Sequence, residues 1–120
     1  LPKEKRRVVM AKSFVKSIVA TEVDASTLGV GLVPINVNGL DQACFLIRII
    51  NNSNVTILIS YDGINAGDVL PPNNILQLDF QTNSAPNGFV ANLKKGTVVS
   101  VDSTAPGIGL IFLCGYYQEN

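Results

Sequence analysis

Apolar and polar residues alternate along this chain at the two-residue period of a half-buried strand, and no segment holds the helical period convincingly. The clearest stretch is ACFLIRIINNSNVTILISYDG. Residues 43–50 and 55–61 are two β-branched runs, separated by the polar turn Asn51-Asn52-Ser53-Asn54, and Asp62-Gly63 ends the second. This spacing predicts a β-hairpin. With Arg48 directed to solvent or a partner, Phe45, Ile47 and Ile49 face the core, while Leu46 and Ile50 make the other face more apolar than a solvated one needs.

The rest of the chain extends this picture. In ILQLDF, Gln77 and Asp79 place Leu76, Leu78 and Phe80 inward, and Val99 and Val101 alternate with Ser100 and Asp102. Residues 14–21 and 28–38 are strand-like with looser alternation, and a short helical turn is an option at 89–94. The closing run GLIFLCGYYQ puts Leu110, Phe112, Cys114 and Tyr116 on one face and Ile111, Leu113, Gly115 and Tyr117 on the other. Apolar on both sides, it predicts a central strand or one covered by another subunit. Segments 68–74, 81–88 and 102–109 are dense in Pro, Gly, Asn and Ser and read as turns. Seven or eight short strands at intervals of about ten residues predict an all-β fold, an antiparallel β-sandwich or jelly roll.

Charge changes the picture at one end. The 120 residues carry nine Lys and Arg against nine Asp and Glu. Yet Lys3, Lys5, Arg6, Arg7, Lys12 and Lys16 fall in the first sixteen positions with Glu4 as the only acid, a net of about +5. Neutrality therefore comes from a basic arm, residues 1–13, cancelling a mildly acidic domain, residues 14–120. Charged residues are only 15% of the chain, below the roughly 25% of a typical soluble protein. Such a surface suits a protein packed among partners, or a small all-β domain built of strands with polar turns. Arg6-Arg7 is followed by only four residues before Lys12, too few for a secretory core, and no run is long enough for a membrane helix. Met10-Ala11-Lys12-Ser13 reads as an alternative start.

The inventory for catalysis is thin. There is no histidine, so the commonest general base and metal ligand is missing, and the chain contains no phosphate-binding loop. Asp62, Asp68, Asp79 and Asp102 lie near strand ends, where turn formation or the polar side of a strand explains them better than paired acid–base work. A calcium site from Asn51, Asn52, Asn54 and Asp62 has no recognised spacing. The acceptor sequences at Asn51 and Asn54 overlap one tight turn and read as chance. Cys44 and Cys114 sit in apolar runs as small buried hydrophobes, without a disulfide framework. No enzyme, cofactor or metal is expected. The arm residues Lys3, Lys5, Arg6, Arg7 and Lys12 are candidate docking groups, and Arg48, Tyr61, Tyr116 and Tyr117 are candidate interface residues. Nucleic acid is a weaker partner for the arm, since Lys94-Lys95 is the only other basic pair.

The stretches IRIINNSNVTILISYDGINAGDVLPPNNILQLDF and NLKKGTVVSVDSTAPGIGLIFLCGYYQ resemble small β-sandwich proteins on the virions of tailed bacteriophages: head decoration, head-fibre base, or neck and tail accessory components. The resemblance spans about two-thirds of the chain, on turn spacing and composition. It implies a virion structural protein that forms a homo-oligomer and docks on capsid or neck and tail proteins, with no cofactor and no catalysis. A receptor- or glycan-binding module of a fibre is the alternative, and it needs an exposed concave site near Tyr61, Asn65, Tyr116 or Tyr117.

Overall fold

The computed structural model describes residues 14–80 and 93–119. The basic arm, with Lys3, Lys5, Arg6, Arg7 and Lys12, lies outside the described residues, as do the turn expected at 81–88 and most of the helical option at 89–94.

Among the described residues, nine strands form two antiparallel sheets: β1 (Phe14–Ser17), β2 (Thr21–Asp24), β3 (Val33–Pro34), β4 (Leu46–Ser53), β5 (Ile57–Ser60), β6 (Ala66–Leu70), β7 (Asn74–Asp79), β8 (Ser100–Asp102) and β9 (Gly109–Glu119). One sheet has the order β1-β9-β4-β7, with β2 also on β9, and the other the order β3-β8-β5-β6. The fold is all-β, and its two sheets are consistent with a β-sandwich. Among the described residues, no helix is long and apolar enough to cross a membrane.

The core follows the alternation. From the first sheet Val23, Ile47, Ile49, Ile111 and Leu113 are buried, and from the second Ile57, Ile59, Leu70 and Val101. Leu76, Leu78 and Phe80 pack against this cluster. Each fully buried branched side chain contributes about 2 kcal/mol by leaving water. The closing run is the central strand, with β1 and β2 along one side and β4 along the other.

The expected hairpin of residues 43–61 is corrected. β4 pairs with β7 and β9, whereas β5 pairs with β6 and β8 in the other sheet. Residues 54–56 thus turn a corner between sheets. Both edges of β4 are occupied, and Ile47 and Ile49 meet Ile57 and Ile59 in the shared core. Period-two alternation is the same for two strands side by side and two facing each other, so the sequence pattern fits either arrangement. The true hairpin is β5–β6, closed by residues 61–65 with Gly63 at φ 78°.

Three boundaries also move. The expected strand at 14–21 is broken into β1 and β2. The expected strand at 28–38 is reduced to Val33–Pro34, preceded by a 3-10 turn, Ala25–Thr27, that Asp24 caps by accepting from the Ser26 N–H. Residues 68–70, expected in a turn, finish β6. Gly109 opens β9 at φ +120°, and a Cβ there would collide with the Asn52 carbonyl oxygen. Cys44 and Cys114 are free thiols.

Candidate functional site

The outer face of the five-stranded sheet is built by the second half of each alternation. Across β4 and its neighbours the outward register runs Leu46 beside Tyr116 and Asp79, Arg48 beside Cys114 and Gln77, Ile50 beside Phe112 and Ile75, and Asn52 beside Leu110. On the far side of β9, Glu22 lies opposite Phe112 and Asp24 opposite Leu110. Leu46, Ile50, Leu110, Phe112, Cys114 and Tyr116 are all half-buried, and Ile75 is exposed. The face is an apolar patch with one cation at its middle and acids on both edges, Glu22 and Asp24 on β2 and Asp79 on β7.

Arg48 is organised before any partner arrives. Its Nη2 donates to Tyr116 Oη at 2.6 Å, and the guanidinium carbon lies 5.7 Å from the Tyr116 ring centroid, within reach of a cation–π contact. Its Nε is buried without a hydrogen-bond partner. A buried donor without an acceptor is costly, and a carboxylate or carbonyl from outside could receive the guanidinium's remaining donors. Arg and Tyr on an apolar floor are the residue types that anchor protein interfaces.

The other sequence candidates fall elsewhere. Tyr61 directly follows β5 of the opposite sheet and is half-buried, and its Oη donates to Asp68 Oδ2 at 2.6 Å. Burial, then the hydrogen bond to Asp68 and that residue's charge, raise the Tyr61 phenol above its ordinary range. Tyr117 lies opposite Lys16 on the side of β9 away from Tyr116. Arg48 and Tyr116 are therefore brought together, and Tyr61 and Tyr117 do not join them. Among the described residues no group of three or more Cys, Asp or Glu is arranged to hold a metal.

The four residues weighed as a calcium site, Asn51, Asn52, Asn54 and Asp62, have separate structural roles. Asn51 is fully buried, its Nδ2 donating to the carbonyls of Val55, Leu70 and Pro71. Asn54 Oδ1, in the corner before β5, accepts from Ile108 N, while Asp62 lies beyond the other end of β5. Burial also removes Asn51 as a glycosylation acceptor in the folded chain. Asp62 instead organises the β5–β6 hairpin: it accepts from the backbone N–H groups of Asn65 and Ile64 and from Ser60 Oγ. These bonds hold its carboxyl at about 2.

No protein-family model matches this chain. No curated protein matches it significantly. The functional reading of the face accordingly rests on its own chemistry and on the sequence resemblance.

Sequence reasoning missed one feature, a cleft of about 160 Å3 beside the junction of β1 and β2. Its walls come from residues 18–21 and 36–41, which carry no motif. The one available signal was the imperfect alternation of FVKSIVAT, where the strand breaks.

Proposed function

We propose that this chain is a non-enzymatic structural component of a bacteriophage virion. In this reading it assembles as a homo-oligomer and sits on the capsid or on the neck and tail, as a sandwich of jelly-roll or related topology. The observation that carries the proposal is the outer face centred on Arg48 and Tyr116, because a lone Arg seated on an aromatic ring amid apolar side chains is poorly suited to open water and well suited to a covered interface. The low charge content and the resemblance to virion β-sandwich proteins support the same reading. Arg48 and the acids Glu22 and Asp24 are of opposite charge on one face, so a two-fold axis lying between them would set each against the other's copy.

The test joins two measurements. Light scattering coupled to size exclusion should give a defined oligomer for the whole chain, and Arg48→Glu should shift it toward monomer. Mass spectrometry of gradient-purified particles from the source of this sequence should find the chain at fixed stoichiometry. A monomer that is absent from particles would overturn the proposal.

The receptor- or glycan-binding alternative draws on the tyrosines. Tyr61 spends its hydroxyl on Asp68 in one sheet, and Tyr116 engages Arg48 in the other. No described observation favours that reading over assembly.

A further inference from the structure

The cleft at the β1–β2 junction has two preformed walls. Between the register pairs Ser17–Tyr116 and Thr21–Leu113, three residues (18–20) stand against two (114–115), which is a β-bulge. Ile18 N still donates to the Gly115 carbonyl at 2.9 Å, so the bulge is pinned, and the Ile18 side chain packs over Gly115 where a Cβ would crowd it. The facing wall is the 36–41 loop. Buried Asn36 fixes it by donating from Nδ2 to the Thr97 carbonyl at 3.0 Å and accepting the Val99 N–H at 2.8 Å.

The chemistry of the cleft is specific. Val19 and Val37, 78% and 73% exposed, stand among its lining residues, a placement that costs free energy in water. Asp41 supplies an exposed carboxylate, and Thr21, whose Oγ1 is buried without a hydrogen-bond partner, also contributes to the lining. Apolar walls with one anionic group fit a long cationic side chain, its methylene stem against the valines and its charged end at Asp41. Volume sets the scale at a single side chain.

We propose that this cleft receives the basic N-terminal segment, residues 1–13, of a second copy of this chain. That segment carries Lys3, Lys5, Arg6, Arg7 and Lys12 against one acid, Glu4, whereas residues 17–120 hold three bases and eight acids. Fully extended, it reaches about 45 Å. Direction selects the second copy. β1 runs along β9 with Phe14 opposite Glu119 and Ser17 opposite Tyr116, so the segment preceding Phe14 leaves from the end of β1 remote from the cleft. To enter its own cleft it would have to reverse at Phe14 and run back along the roughly 13 Å of β1. Reciprocal exchange then links copies without using the Arg48 face. The inference rests on the assembly reading only in requiring a second copy.

Carbodiimide cross-linking of the full chain, as an equal mixture of 14N- and 15N-labelled protein, tests it directly. Mass spectrometry should find amide links between Asp41 and Lys3, Lys5 or Lys12 in mixed-isotope pairs, diminishing as salt rises. Asp41→Asn should lose these links while keeping its melting temperature, since Asp41 is exposed. Links within one isotope only would mean that each segment docks on its own chain, and would overturn the inference. Arm lysines linked to other carboxylates but not to Asp41, or not linked at all, would overturn it too. Mixed-isotope links in a protein absent from particles would leave the arm exchange standing and sink the virion reading.

Discussion

Asn51 Nδ2 donates to the Leu70 carbonyl at 3.0 Å, joining the end of β4 in one sheet to the end of β6 in the other. The same amide reaches the carbonyls of Val55 and Pro71, and its oxygen accepts the Ser53 N–H at 3.2 Å. One fully buried side chain therefore does what backbone pairing cannot do at a corner where the chain changes sheet.

Replacing Asn51 by Ala should cost about 3 kcal/mol, because several carbonyls and the Ser53 N–H lose their partner inside the protein. Urea unfolding should show a lower midpoint at an unchanged slope. Asn52→Ala, on an exposed neighbour, should change stability by less than about 0.5 kcal/mol.

Asp62 makes the hairpin acid-sensitive. Its carboxyl is held at about 2 by hydrogen bonds from Asn65 N, Ile64 N and Ser60 Oγ, below the usual unfolded value of about 3.9. Its stabilising effect is thus fully present above that unfolded value and is lost as pH falls through the folded one. Between about pH 4 and pH 2 the wild type should lose more stability than Asp62→Asn, as measured by thermal unfolding across that range.

Tyr61 gives the opposite slope at high pH. Burial and the hydrogen bond to Asp68 favour the neutral phenol in the folded state. Its contribution is complete below the unfolded value of about 10 and declines as pH rises above it. Ultraviolet titration above pH 10 should show a delayed ionisation step that Tyr61→Phe removes.

The two thiols should differ in reactivity. Cys44 is fully buried, and burial raises its thiol further from ionisation; Cys114 is half-buried on the outer face beside Arg48. Iodoacetamide should label Cys114 first, with Cys44 reacting only as the protein opens. If the outer face is covered in the oligomer, Cys114 labelling should slow as protein concentration rises. A rate independent of concentration would argue that this face stays open.

Part of the inward set was legible. Ile47, Ile49, Leu76, Leu78 and Phe80 join or pack against the core as their alternation requires, whereas Phe45, just before β4, is only half-buried and outside the core cluster, and at β9, apolar on both sides, the fold chose Ile111 and Leu113. The central place of β9 also followed from its two apolar faces. Arg48 stood out as a cation in an apolar run, but its contact with Tyr116, 68 residues away, depends on β4 and β9 being neighbours in register. The cleft was invisible, because it needs a bulge in one segment to face a loop from another.

By itself the sequence determined the all-β class, the inward side of strands whose other side is polar, and the separation of a basic segment from an acidic domain. These depend on local properties: a side-chain period, turn residues, and the count of charges. The tertiary structure alone decided which strands are neighbours, and so that β4 and β5 face each other across the core instead of pairing. Strand pairing joins residues far apart in the chain. It is fixed by which edges are filled and by how groups such as the Asn51 amide satisfy the backbone at the corner, and no short stretch of sequence contains both halves of that contact.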